Sequence, residues 1–125
     1  MSSTTIAGVR TIGINVADQD AAIDFYVDRL GFEKRLDAAI AGTGRWIEVA
    51  PPGAGTSLAL VSEGASSAGA DTRIRFTVPN AAAEHATMRE RGVTVGDLLS
   101  LEGVPPMYSF DDPDGNRFYI VEESS

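Results

Sequence analysis

One hydrophobic pattern occurs twice in this chain of 125 residues. Ile12, Ile14, Val16 and Asp18 match Ile74, Phe76, Val78 and Asn80 at a spacing of 62, and Gly31 matches Gly92 at 61. Duplication over such a length restricts the fold more than any single motif does, because each copy must form the same supersecondary unit. Alternating apolar residues at 9–16 (VRTIGINV) predict a strand with one buried face. Asp18 stands where a helix N-cap belongs. The spacing of Ala22, Ile23, Tyr26 and Leu30 predicts a helical stripe that Gly31 ends. Residues 32–40, 45–50 and 56–62 then predict three strands. The second copy runs through a strand at 71–78, the cap Asn80, a helix at 81–91, Gly92, an extended 93–101, a short MYSF strand and a last strand at 116–122.

The expected class is α+β, with two βαβββ modules. One such unit leaves a sheet face uncovered, whereas two side by side can curl a mixed sheet into a cup with the helices outside. The whole of 1–125 is expected to be a single domain, with module one at about 6–63, a linker at about 64–70 (small, polar, without periodicity) and module two at about 71–123.

Composition excludes several functions. The sequence contains no cysteine, which removes disulfides, thiol catalysis and cysteine metal sites and suits a reducing compartment. A net charge of −8 and the absence of a basic patch argue against nucleic acid and anionic membranes as partners. No apolar run approaches the ~20 residues of a membrane helix. The opening MSSTTIAGVR has no apolar core of a secretory leader, so the expected location is the cytoplasm.

Three stretches in order, VRTIGINVADQDAAIDFYVDRLGF, RGVTV and FDDPDGNRFYIVE, make the chain resemble the vicinal oxygen chelate superfamily of glyoxalase I, extradiol dioxygenases and bleomycin-resistance proteins. The resemblance implies paired βαβββ modules, usually in a homodimer. In metal-using members it implies four His, Gln or Glu ligands facing the cup. Carried over singly, those positions fall on Thr11, Ala59, Arg73 and Tyr119. Alanine has no donor, threonine is a weak one, an arginine repels a cation, and one tyrosine cannot hold a metal alone. Shifts of two residues along each strand find no better set, and the one histidine, His85, lies on the second helix. The expectation is therefore no metal and no cofactor.

Several side chains are candidate ligand contacts. Arg73 and Arg75 share a strand face; Arg73 either binds an anionic group in the cup, or pairs with an acid such as Glu48, or reaches solvent. Trp46 and Glu48 also share a face, with Trp46 either stacking on a planar ligand or covering the core. The Tyr119 hydroxyl either donates to a ligand or serves packing. Thr11 and Ala59 would shape the floor, and Met107 and Tyr108, after a Pro-Pro turn, either border the site as a lid or simply follow a turn that delivers the chain into a strand. The acids Asp111, Asp112 and Asp114 lack calcium-loop spacing, since Gly115 comes too early, and read as a turn. The expected function is a metal-independent small-molecule-binding protein of the glyoxalase/bleomycin-resistance type, suited to drug sequestration. An enzyme of the same superfamily with an atypical site, using Tyr119 or Glu48 in proton transfer, is the alternative.

Overall fold

The computed structural model describes residues 4–40, 44–62 and 69–123; the expected linker lies outside them except for Gly69 and Ala70. Strand β1 (Thr11–Asn15) leads into helix α1 (Gln19–Ile23), which continues as a π-helical stretch, Asp24–Arg29. Strands β2 (Glu33–Ile40), β3 (Gly44–Ala50) and β4 (Ser57–Val61) follow. The order then repeats as β5 (Asp71–Val78), α2 (Ala81–Glu90), β6 (Thr94–Val95), β7 (Met107–Asp111) and β8 (Arg117–Glu122). The two sheets have equivalent orders, β1-β4-β3-β2 and β5-β8-β7-β6. In each, the first strand pairs in parallel with the last, and the other neighbours are antiparallel. A parallel pair needs a long crossover, and the helix of each module lies within it.

The helix ends follow the repeated signals. Asp18 accepts from the Ala21 N–H at 3.0 Å, and Asn80 accepts from the Ala83 N–H at 3.0 Å. Gly31 and Gly92 close the helices at φ 79° and 78°, a conformation that only glycine adopts cheaply. The first helix departs from the simple stripe. The Leu30 N–H reaches the Phe25 carbonyl, five residues back, at 3.1 Å. Within that wider turn Phe25 and Tyr26, neighbours in sequence, are both buried. Extended structure after α2 is shorter than expected: two residues of strand, then a single bridge from Leu99 to Met107.

One core serves both modules. Ile14, Ile47, Val49, Leu58 and Leu60 from the first sheet join Tyr108, Phe110, Phe118 and Ile120 from the second. Aromatic rings cross the boundary, with Tyr26 edge-on to Phe118 at 6.1 Å and Phe32 edge-on to Phe76 at 5.6 Å. The two helix C-termini also meet: Arg29 Nη1 donates to the Gly92 carbonyl at 3.1 Å, and Arg91 Nη1 donates to the Arg29 carbonyl at 3.2 Å.

The turn between β7 and β8 clasps the halves together. Asp112 is buried, and its carboxylate accepts four hydrogen bonds. Oδ1 takes the N–H groups of Asp114 (2.9 Å) and Asn116 (2.8 Å), and Oδ2 takes Asn116 Nδ2 (2.9 Å) and the Tyr26 hydroxyl (2.8 Å). Asn116 reaches further, donating to the Asn15 carbonyl and accepting from the N–H groups of Gly69 and Ala70. Asp114 accepts from the Ala17 N–H at 3.1 Å. The acid cluster is thus a turn, as its spacing indicates, and the turn also joins the modules.

Removing the Asp112 carboxylate orphans the buried Tyr26 hydroxyl and the turn N–H groups, so Asp112→Ala should cost about 3 kcal/mol in urea unfolding, and Tyr26→Phe about 1.5 kcal/mol. The double variant should lose less than the sum, because the two share one bond. Strict additivity would show that the contact does not hold the turn to α1.

Candidate functional site

The face of the first sheet turned away from the core carries one tight group of candidates. Along β3 the side chains alternate. Ile47 and Val49 are fully buried on the core side, which leaves Trp46 and Glu48 on the other. Register brings their neighbours alongside: Glu48 is opposite Ala59 on β4 and Leu36 on β2, and Ser57 is opposite Thr11. Glu48 is only 5% exposed, yet its carboxylate is fully engaged. Oε2 accepts from the Trp46 indole N–H at 2.8 Å, and Oε1 from the Ser57 hydroxyl at 2.9 Å. The Ser57 hydroxyl also lies 2.9 Å from Thr11 Oγ1, which donates to the Ser57 carbonyl at 3.2 Å. Arg10 completes the group, with Nη2 at 3.4 Å from Oε2 and its side chain 78% exposed. The indole hydrogen bond foremost, with Ser57 and Arg10 adding to it, holds the Glu48 carboxyl below the usual range against the opposing effect of burial. A cavity of about 290 Å³ opens over the group, lined by Arg10, Arg35, Leu36, Glu48, Gly55 and Ser57.

The second sheet gathers a different group. Asp71 pairs with Arg117, but the next partners are Arg75 and Tyr119, so Thr72, Arg73 and Ile74 of β5 lie opposite Phe118 alone of β8. This bulge puts Arg73 at φ 60°, costly for a side chain with a Cβ. Local bonds hold the bend: Asp71 Oδ1 accepts from the Arg73 N–H at 3.0 Å, and Thr72 Oγ1 from the Ile74 N–H at 3.2 Å. The Tyr119 hydroxyl donates to Asp71 Oδ2 at 2.7 Å, and the Arg75 guanidinium lies 5.6 Å from the centre of the Tyr119 ring. The shared bond raises the Tyr119 pKa and lowers that of Asp71.

The structure therefore brings Trp46, Glu48, Thr11 and Ala59 together on one sheet, and Tyr119 and Arg75 together on the other. Among the described residues no hydrogen bond, ion pair or ring contact joins the two groups. Arg73 is exposed on the bulge, and Glu48 takes Arg10 as its ion-pair partner. Met107 is half-buried, opposite Val121. Tyr108 corrects the expectation of a border residue. It is 2% exposed under α2, its hydroxyl 3.1 Å from Met88 Sδ and its ring edge-on to His85, because alternation in β7 turns it to the core. His85 itself lies 2.8 Å from the Gly96 carbonyl. Sequence reasoning missed Arg10, Ser57 and Asp71 as partners. Ser57 is recoverable from pairing, since it shares a face with Ala59.

A divalent metal does not fit these donors. Thr11 and Tyr119 are committed to protein partners, Ala59 has no donor, and Arg73 is a cation. Among the described residues no group of three or more His, Cys, Asp or Glu is placed to hold an ion. Proton transfer is poorly served as well. A carboxylate with a depressed pKa is a weak base, and a tyrosine with a raised one keeps its proton at neutral pH. What the first face offers is a fixed negative charge beside an indole.

The Glyoxalase/Bleomycin resistance protein/Dioxygenase superfamily model matches residues 8–120, and the chain belongs to that family. An antibiotic binding protein from Streptomyces sp. CB03234, TnmS3, has a solved structure with a TM-score of 0.87 and 33% identity, covering 98% of this chain and 100% of its own. A superfamily member from Sphaerobacter thermophilus gives 0.88 and 37%, covering 96% and 100%. Among curated relatives, the uncharacterized protein YurT of Bacillus subtilis is 32% identical over 127 residues, covering 88% of this chain and 94% of its own.

All three tyrosines have raised pKa values: Tyr26 and Tyr108 chiefly through burial, Tyr119 chiefly through its bond to Asp71. Absorbance at 295 nm should thus show native tyrosinate only above the pH of free tyrosine, about 10. A group raised on folding stabilises below its unfolded pKa and loses that contribution as pH climbs through the folded value. Alkaline unfolding should therefore accompany the absorbance change, and Tyr119→Phe should remove the earliest part of it.

Proposed function

We propose that this protein binds a small organic molecule without a metal and acts by sequestering it, a drug or toxic metabolite being the fitting class. The carrying observation is the Trp46–Glu48 pair. An indole and a buried, ionised carboxylate share one face, the carboxylate in the wall of a cavity, while the four positions to which the family resemblance assigns metal ligands carry Thr, Ala, Arg and Tyr. Binding sites commonly combine an apolar or aromatic wall with a few fixed polar groups. The likeness to an antibiotic binding protein over nearly the whole chain supports the same reading.

We infer a homodimer as the working form. Strand β2 is an eight-residue sheet edge, and it exposes Leu36 and Ile40. A second copy would cover such an edge. A cytoplasmic location accords with the absence of cysteine, and no helix among the described residues is long and apolar enough to cross a membrane.

Trp46 is the only tryptophan, so its emission reports on the proposed face directly. Titration with a panel of planar aromatic antibiotics should change that emission and raise the melting temperature, by the equivalent of about 2.7 kcal/mol at a hundredfold excess over Kd. Excess EDTA should leave the affinity unchanged, and the compound should be recovered intact. Binding that EDTA abolishes, or conversion of the compound, would overturn the reading. Light scattering behind size exclusion should give twice the chain mass; a monomer at micromolar concentration would remove the dimer.

A further inference from the structure

The two modules are pinned at one end of their seam and only packed at the other. Among the described residues, every hydrogen bond between them involves Asn15, Ala17, Tyr26 or Arg29 of the first module. At the start of β1 the sheets meet through side chains alone, and there a cavity of about 380 Å³ opens between them. Ile12 and Leu58 from β1 and β4 form one wall, Ile74 and Phe76 from β5 the other, and Val9 and Ala54 stand at the mouth. Ile12, Ile74 and Phe76 pack against the core yet are only half-buried, so apolar side chains meet water here.

The lining side chains offer a ligand neither a charge nor a free proton. Arg75 is among the lining residues, but side chains alternate along β5. Its guanidinium lies 5.6 Å from the centre of the Tyr119 ring, on the face opposite Ile74 and Phe76. Thr56 spends its hydroxyl proton on the Val9 carbonyl at 2.8 Å. An ion entering this space would lose its hydration with nothing in return. An apolar molecule would gain by taking its own surface and that of Ile12, Ile74 and Phe76 out of water.

We infer that this seam cavity binds an uncharged, mainly aliphatic molecule, a compact alicyclic compound with at most one hydroxyl being the fitting class. The volume falls within the range of small-molecule pockets. With no hydrogen bond across this end of the seam, the walls can adjust to a guest without breaking one. The site is separate from the Trp46–Glu48 face. It lies on the core side of the first sheet, where Ile12 points, whereas its neighbour Thr11 points to the outward face.

Adamantanol is a suitable probe, a saturated cage with one hydroxyl and no aromatic ring to stack on Trp46; adamantane carboxylate is its charged control. Calorimetry at neutral pH should show the alcohol binding about tenfold more tightly than the carboxylate, or better. In a titration followed by NMR, the methyl resonances of Ile12, Leu58 and Ile74 should shift, and those of Thr11 and Ala59 should stay. Ala54→Phe, in the turn before β4, should close the mouth and weaken the alcohol about tenfold while the melting temperature holds. Val9→Phe, at an exposed position, should close it from the other side with the same loss. Failure of the wild-type chain to bind the alcohol, or equal affinity for the carboxylate, would overturn the inference. So would full affinity in both variants, or shifts confined to Thr11 and Ala59, which would place the ligand on the first outward face. None of these results bears on aromatic ligands at Trp46, so the two sites stand or fall separately.

Discussion

The buried carboxylate of Asp112 is the constraint on which the two-module arrangement depends. Removing an ionised carboxylate from water costs several kcal/mol unless its oxygens are met by donors. Here four donors meet them, and they come from two places: three from the turn itself, and one, the Tyr26 hydroxyl, from the first module. The turn cannot form its full set without α1 in position. Asn116 extends the same logic to the end of β1 and the start of β5. Burial, then the nearby Asp112, pushes the Tyr26 pKa far up, so that hydroxyl remains a donor throughout the pH range of a folded protein. Apolar packing between the modules tolerates small slides, whereas these bonds accept one geometry.

With docking fixed in this way, the outward faces of the sheets are free to diverge. The two modules share strand order and cap positions yet have built unlike polar groups. On the first face a carboxylate is surrounded by donors and sits low in the sheet. On the second, a bulge moves Asp71 onto Tyr119 and turns Arg73 outward. A two-residue excess in one strand re-aims side chains without altering the fold. That bulge is why Arg73, the offset partner of Thr11 in sequence, has no equivalent place in space.

The frame was legible because it is written in short-range signals. Alternation located the strands, and Asp18, Asn80, Gly31 and Gly92 marked the helix ends by the conformations they favour. Trp46 and Glu48 were legible as face-sharing residues for the same reason. What stayed hidden depends on distant or unusual geometry. No local rule connects Asp112 to Tyr26, 86 positions away. Nothing in DTRIR announces that an arginine will take a left-handed conformation. The π-helical turn was equally silent, although Phe25 and Tyr26 themselves were legible as core residues. Tyr108 is the instructive miss: adjacent strand residues point to opposite faces, so Met107 and Tyr108 could not both have bordered one site.

Stability and ligand chemistry are carried by separate residues in this chain, and that separation bears on what the fold can become. The core and the Asp112 clasp hold the modules together with no help from Thr11, Ala59, Arg73 or Tyr119, the positions to which the family resemblance assigns metal ligands. Thr11, Ala59 and Tyr119 meet the demands of packing or local hydrogen bonding, and Arg73 is exposed on the bulge, where its N–H bonds Asp71. A fold that needed an ion to dock its halves could not lose the ligands and remain folded. One held by an internal carboxylate needs no such ion, and the first face carries an indole bonded to a fixed charge. Membership of the superfamily therefore accounts for the architecture, while the chemistry is decided by which side chains the two faces present.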